Sequence, residues 1–181
     1  MEAKKTSTLM QYGLISALVG ILFFVILYLG GSKLFTSPLA FAGYVLPIIF
    51  AILACVKQKK NNGGFLEFKE ALKIAFGVFV ITALASTLVS YVILNFIDDG
   101  FRESLLQATI ETTQKMMKRF GASDDMIDKQ VQQMLQSNPF SFGKMILNFA
   151  WGCIIWFIFS LIIAAIVKKK KPEFPQPVTN P

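Results

Sequence analysis

Histidine does not occur in this chain, cysteine occurs twice, and charged residues make up only 16% of its 181 positions. The missing histidine removes the commonest general base and the commonest metal ligand. The scarcity of charge, set against 54% hydrophobic residues and a mean hydropathy of +0.57, excludes an ordinary water-soluble domain. Such a domain carries roughly 25% charged residues and about 45–50% apolar ones. No Pro/Gly/Ser-rich linker divides the chain, so it reads as a single domain. No Asp, Glu, Lys or Arg stands in the middle of any long apolar run. Buried ionisable groups mark proton relays and ion pathways in membranes, so their absence argues against proton-coupled transport.

Apolar runs are what the sequence has instead. Four of them, at about 9–29, 39–56, 71–97 and 145–167, are long enough to cross a hydrocarbon core of about 30 Å as helices. The second carries Pro47, which removes a helix hydrogen bond and predicts a kink. The third exceeds the required length, so one end is expected to project into water. The first follows Lys4 and Lys5 and precedes Ala40-Phe41-Ala42, a pattern seen in secretory signals. Its apolar core is longer than a signal's, which makes it a retained anchor.

Charge predicts the direction of the bundle. Lys4, Lys5, Lys57, Lys59, Lys60, Lys69, Lys73 and Lys168 to Lys171 fall on one side with four glutamates; the seven cations of the other side face seven acids. Lysine and arginine near span ends stay in the cytoplasm, so both termini are expected there. The same rule makes the cytoplasmic loop, about 57–70, and the tail, 168–181, topology determinants. Lys57, Lys59, Lys60, Lys168, Lys169, Lys170 and Lys171 are also candidates for contact with anionic lipid headgroups.

Within the loop, Asn61 to Gly64 predict a turn. Phe65, Phe68 and Leu72 recur at helical spacing with Glu67, Lys69, Glu70 and Lys73 elsewhere, which predicts an amphipathic lead-in at the interface. Glycines beside lysines can cradle phosphate, but the G-x-x-x-x-G-K-[ST] spacing is absent. Inside the spans, small residues recur at helical spacing: Gly13, Ser16, Ala17 and Gly20 in the first, Gly43, Pro47 and Ala51 in the second, Thr82, Ser86 and Ser90 in the third. Such stripes let helix backbones approach closely in lipid. The Thr82, Ser86 and Ser90 face is therefore a candidate packing seam, or, with Asn95 and Asn148, a polar path. Trp151 is expected at an interface and Trp156 in packing. Cys55 and Cys153 are expected at different depths, too far apart for a disulfide.

The largest polar stretch, about 98–143, predicts an extracytoplasmic amphipathic helical hairpin. Leu106, Ile110, Met117 and Phe120 follow helical spacing, Gly121 supplies a stop, Ser123 a candidate N-cap, and Ile127, Val131 and Met134 a second apolar face before Asn138-Pro139. Asp98, Asp99 and Glu103, or Asp124, Asp125 and Asp128, match no calcium-loop spacing, so no metal is expected.

Gly63-Gly64, then Phe68-Lys69-Glu70-Ala71-Leu72-Lys73, Ile97-Asp98 closing a span, the Glu/Gln/Met-rich hairpin, Asn138-Pro139-Phe140-Ser141, and a last span ending in Lys168 to Lys171 together resemble a known pattern. In that order they are similar to the bacterial membrane-protein family called domain of unknown function 4199 (DUF4199). The resemblance covers nearly the whole chain. In that family the aspartate closing the third span is commonly followed by proline, where this chain has Asp99. The resemblance implies a four-helix inner-membrane protein and carries no catalytic residue over.

The sequence thus predicts an all-α integral membrane four-helix bundle in the bacterial cytoplasmic membrane. The expected role is a non-enzymatic interaction or accessory subunit, with no cofactor, no catalytic residue and no nucleic-acid partner. Membrane lipids and another membrane protein, or a second copy meeting the 98–143 hairpin, are the expected partners. The competing expectation is a small oligomeric transporter or channel.

Overall fold

A computed structural model describes residues 2–170, with side chains from Thr8 onward. Lys171 lies outside the described residues, as do the side chains of Lys4 and Lys5. The helices are α1 (Glu2–Leu29), α2 (Gly31–Phe35), α3 (Ala42–Asn61), α4 (Phe68–Val92), α5 (Asp99–Arg119), α6 (Asp124–Gln136) and α7 (Phe142–Val167). A 3-10 turn at Pro38–Phe41 leads into α3, and a π-helical turn at Ile93–Ile97 ends α4.

Four segments are long and apolar enough to cross a membrane: Thr8–Leu29, Pro38–Asn61, Phe68–Ile97 and Phe142–Val167. A helix is the form that lets a lipid-embedded backbone satisfy its own hydrogen bonds. Only 17–28% of each span's most apolar window is buried inside the bundle. The exposed remainder includes Leu18, Leu22, Leu88, Ile158 and Ile162. An apolar surface of this extent is matched by hydrocarbon and not by water.

The packing centres on α4, which touches α1, α3 and α7, while α3 also lies against α1 and meets α7 more sparsely. Small residues set how closely α1 and α4 approach. A Cβ added at Gly13 would stand 2.7 Å from Ile81 Cδ1, and one at Gly77 would stand 2.5 Å from Leu9 Cδ1. The densest packing is at the lysine-rich end, where Ala51, Ala54, Cys55, Leu66, Ala71, Ala75, Val78 and Ala164 are almost fully buried. A smaller cluster of Leu94, Phe101 and Leu105, flanked by Tyr28, Phe35 and Phe140, closes the hairpin end. Trp156 packs as expected, stacked on Phe79 at 4.6 Å between ring centroids, whereas Trp151 is exposed.

Glycine ends two helices by the same device. Gly63 and Gly64 have φ of 68° and 90°, and their amides donate to the Lys60 and Lys59 carbonyls. Gly121, with φ of 77°, donates to Lys118 while Ala122 donates to Met117. Both sets are Schellman closures of the last turn.

The expected lead-in helix from Phe65 does not form. The chain stays extended from Phe65 to Glu67 and helix begins at Phe68. The reason is a competing backbone partner: Leu66 and Lys169 exchange two hydrogen bonds of 2.9 and 2.8 Å in an isolated antiparallel bridge. Leu66 is thereby buried to 1% exposure. Helix α3 runs on to Asn61, so the non-helical part of the connection to α4 covers 62–67, and α7 begins at Phe142.

Candidate functional site

Three places collect the residues singled out above, and each is built by different elements. At the lysine-rich end, the bridge between Leu66 and Lys169 ties the α3–α4 connection to the segment after α7. Lys59 Nζ donates to the Val167 carbonyl at 2.8 Å. The Lys168 and Lys169 ammonium groups each stand 5.7 Å from a ring centroid, over Phe68 and Phe65 respectively. That separation is within reach of a cation–π attraction. Lys57, Lys60 and Lys170 are exposed. The structure therefore brings Lys59 together with Lys168 and Lys169, two groups far apart in sequence. Inward from them, Gln58 Nε2 donates to Glu70 Oε1 at 3.0 Å and Asn62 Nδ2 donates to the same oxygen at 2.9 Å. Gln58 Oε1 is buried with no hydrogen-bond partner among the described residues.

The second place is the seam between α1 and α4. Thr82 Oγ1 hydrogen-bonds Ser16 Oγ at 2.8 Å and lies 2.9 Å from the Val78 carbonyl that it back-bonds. Ser16 and Thr82 are both buried. A Cβ at Gly20 would stand 3.5 Å from Ser86 Oγ, so Ser86 also faces α1. Ser90 is half-buried one turn further on. The remaining members of the polar series lie elsewhere. Asn95 donates to the Tyr91 and Phe140 carbonyls at 3.0 and 3.1 Å, and Asn148 is exposed on α7. Thr82 and Ser86 thus share the α1–α4 seam, while Asn95 bonds at the hairpin end and Asn148 stands on the exposed surface of α7.

The hairpin end is the third. Asp98 precedes α5 and caps it, its Oδ1 accepting from the Phe101 amide at 2.7 Å. Its Oδ2 accepts from the Tyr28 hydroxyl at 2.7 Å. The Phe101 amide first, and then the Tyr28 hydroxyl, hold the Asp98 carboxyl below its ordinary range. Asp99 pairs with Arg102 at 3.2 Å. Beyond this base the hairpin is sparsely packed. Ile127 is its one fully buried α6 side chain among the described residues, and Leu106, Ile110, Met117, Val131 and Met134 are half-buried. Phe120, which shares the helical spacing of Leu106, Ile110 and Met117, occupies the α5 C-cap and is 84% exposed. Ser123 stands at the N-cap of α6, but its side chain makes no capping hydrogen bond. A cleft between α5 and α6 is lined by Arg102, Glu103, Leu106, Leu135 and Phe140.

Sequence reasoning missed the pairing of Leu66 with Lys169 and of Tyr28 with Asp98. The first left a faint signal, two apolar residues, Phe65 and Leu66, inside a polar connection. The second left none, since 70 residues separate the partners. Both cysteines are free, Cys55 donating to the Ala71 carbonyl at 3.5 Å.

A family model described as protein of unknown function (DUF4199) matches residues 11–169. No curated protein and no solved structure matches the chain.

Proposed function

The chain belongs to the DUF4199 family, and on that footing we propose that it is a non-enzymatic accessory subunit of the bacterial cytoplasmic membrane. It crosses four times with the lysine-rich end in the cytoplasm, and it meets another membrane protein through the extracytoplasmic hairpin. The observation that carries this reading is the tip of the hairpin. Phe120 is 84% exposed, and Met116, one turn before it on α5, and Met126, in the first turn of α6 beyond the connection, are each more than half exposed. They lie outside the four membrane-spanning segments, where the apolar surface has no span of its own to belong to. Exposed apolar residues grouped in this way are the mark of a contact surface.

The transporter reading draws less support. A channel built by several copies around Thr82, Ser86 and Ser90 needs that face turned outward. Thr82 and Ser86 instead meet Ser16 and Gly20 of the same chain.

Site-specific photo-crosslinking in cells tests the proposal, with the reactive side chain at Phe120 or Met126 and a control at the exposed, polar Thr112. A discrete adduct with one other membrane protein, formed from Phe120 and Met126 but not from Thr112, is the expected result. Absence of any adduct from the two apolar positions contradicts it. A dimer of this chain replaces the accessory reading with self-association.

A further inference from the structure

The bridge at the lysine-rich end does more than close the bundle. It holds the segment after α7 against the α3–α4 connection, so that ammonium groups from chain segments 108 residues apart share one surface. Lys59 spends one of its three N–H groups on the Val167 carbonyl, which leaves two to donate. Lys168 and Lys169 stand over Phe68 and Phe65, and Lys60 and Lys170 are exposed beside them in sequence. The connection itself carries two acids, Glu67 and Glu70, against Lys57, Lys59, Lys60 and Lys69, so Lys168 to Lys170 add to a surface that is already net positive.

Apolar surface continues directly from this cationic rim. Val56 and Ile52, three and seven residues before Lys59, lie on its face of α3 and are exposed. Phosphate is the anion that lysines hold as point charges, and here it would be held at the edge of a membrane-spanning face. A ligand that brings a phosphate and an acyl chain together fits both halves at once.

We propose that the clasp formed by Lys59, Lys60 and Lys168 to Lys170 binds the phosphate headgroup of an anionic phospholipid, whose acyl chain lies along Ile52 and Val56. The site is independent of the hairpin and of any partner there. It also gives the paired Phe65 and Leu66 a purpose. Leu66 anchors the clasp by burial, and Phe65 holds Lys169 where the headgroup sits.

Native mass spectrometry of the full chain tests this, with phosphatidylglycerol or phosphatidylcholine added to the micelles at equal mole fraction. Retention of phosphatidylglycerol over phosphatidylcholine by at least roughly tenfold is expected from several lysines acting together. At roughly fivefold per lysine, replacing Lys59, Lys168 and Lys169 with glutamine lowers that retention on the order of 100-fold. The double variant Lys60→Gln, Lys170→Gln leaves the bridge and both ring contacts in place, and it lowers retention on the order of 25-fold. A hairpin variant of equal charge change, Lys115→Gln with Lys118→Gln and Lys129→Gln, retains the lipid as before. Equal retention of the two lipids, or equal loss in the hairpin variant, overturns the proposal. So does displacement of phosphatidylglycerol by inorganic phosphate, which would make the site one for free phosphate.

Discussion

Single side chains decide how the spans meet. Ser86 faces the bare backbone of Gly20, so Ser86→Leu forces a branched side chain into a closed seam, at a cost of about 1–3 kcal/mol. The expected outcome is an earlier unfolding midpoint in detergent titration; a pore built on this face would instead keep its stability and lose flux in liposomes. Asp98 makes the second test at this scale. The Phe101 amide and the Tyr28 hydroxyl lower its pKa in the folded chain, so its contribution to stability is complete above the unfolded-state value of about 3.9. That contribution is lost only as pH falls through the lower folded value. Carbon-13 titration of the Asp98 carboxyl should place its midpoint below the ordinary aspartate range, and Tyr28→Phe should raise it while the Phe101 amide keeps it from rising fully. An unshifted midpoint in the wild-type chain contradicts the capping geometry.

Helices and their ends show how far the sequence could be read. The four spans were legible because a long apolar run has one structural meaning in lipid, and the glycine stops were legible because only glycine enters positive φ without strain. Phe65 was misread because its spacing to Phe68 and Leu72 fits a helix, while Lys169, whose bridge to Leu66 holds this stretch extended, lies beyond the last span. Periodicity is a local signal and the bridge is not. The candidate surfaces divide in the same way. The Thr82 and Ser86 stripe was visible as small residues at helical spacing, but which helix it faced was not. If Gly63 and Gly64 are what deliver Leu66 to the bridge, replacing both with alanine costs about 1–2 kcal/mol per left-handed residue. Hydrogen exchange at the Leu66 and Lys169 amides, whose bonds define the bridge, should then quicken, with amides in the middle of α1 unaffected. Unchanged exchange at those two positions would mean that the bridge forms without the turn.

At the scale of the whole molecule, the chain has two ends of unlike character joined by an apolar middle. The lysine-rich end is tightly packed around Leu66, Cys55 and Val78, and its cations outnumber its acids. The hairpin end carries balanced charge, fastens to the bundle through Tyr28, Asp98, Asn95 and Phe140, and leaves Phe120, Met116 and Met126 uncovered. The asymmetry suits a protein anchored by one end and presenting the other. The measurement that tests this most directly is native mass spectrometry of the protein extracted from its own membranes at native expression level. The wild-type chain and a Phe120→Asp, Met126→Asp variant should be compared in parallel. A reproducible assembly of fixed stoichiometry with a second protein is expected, dissolved by the two tip substitutions while the chain remains folded. A wild-type chain that emerges only as a monomer or a closed homo-oligomer, or an assembly indifferent to Phe120 and Met126, would contradict it.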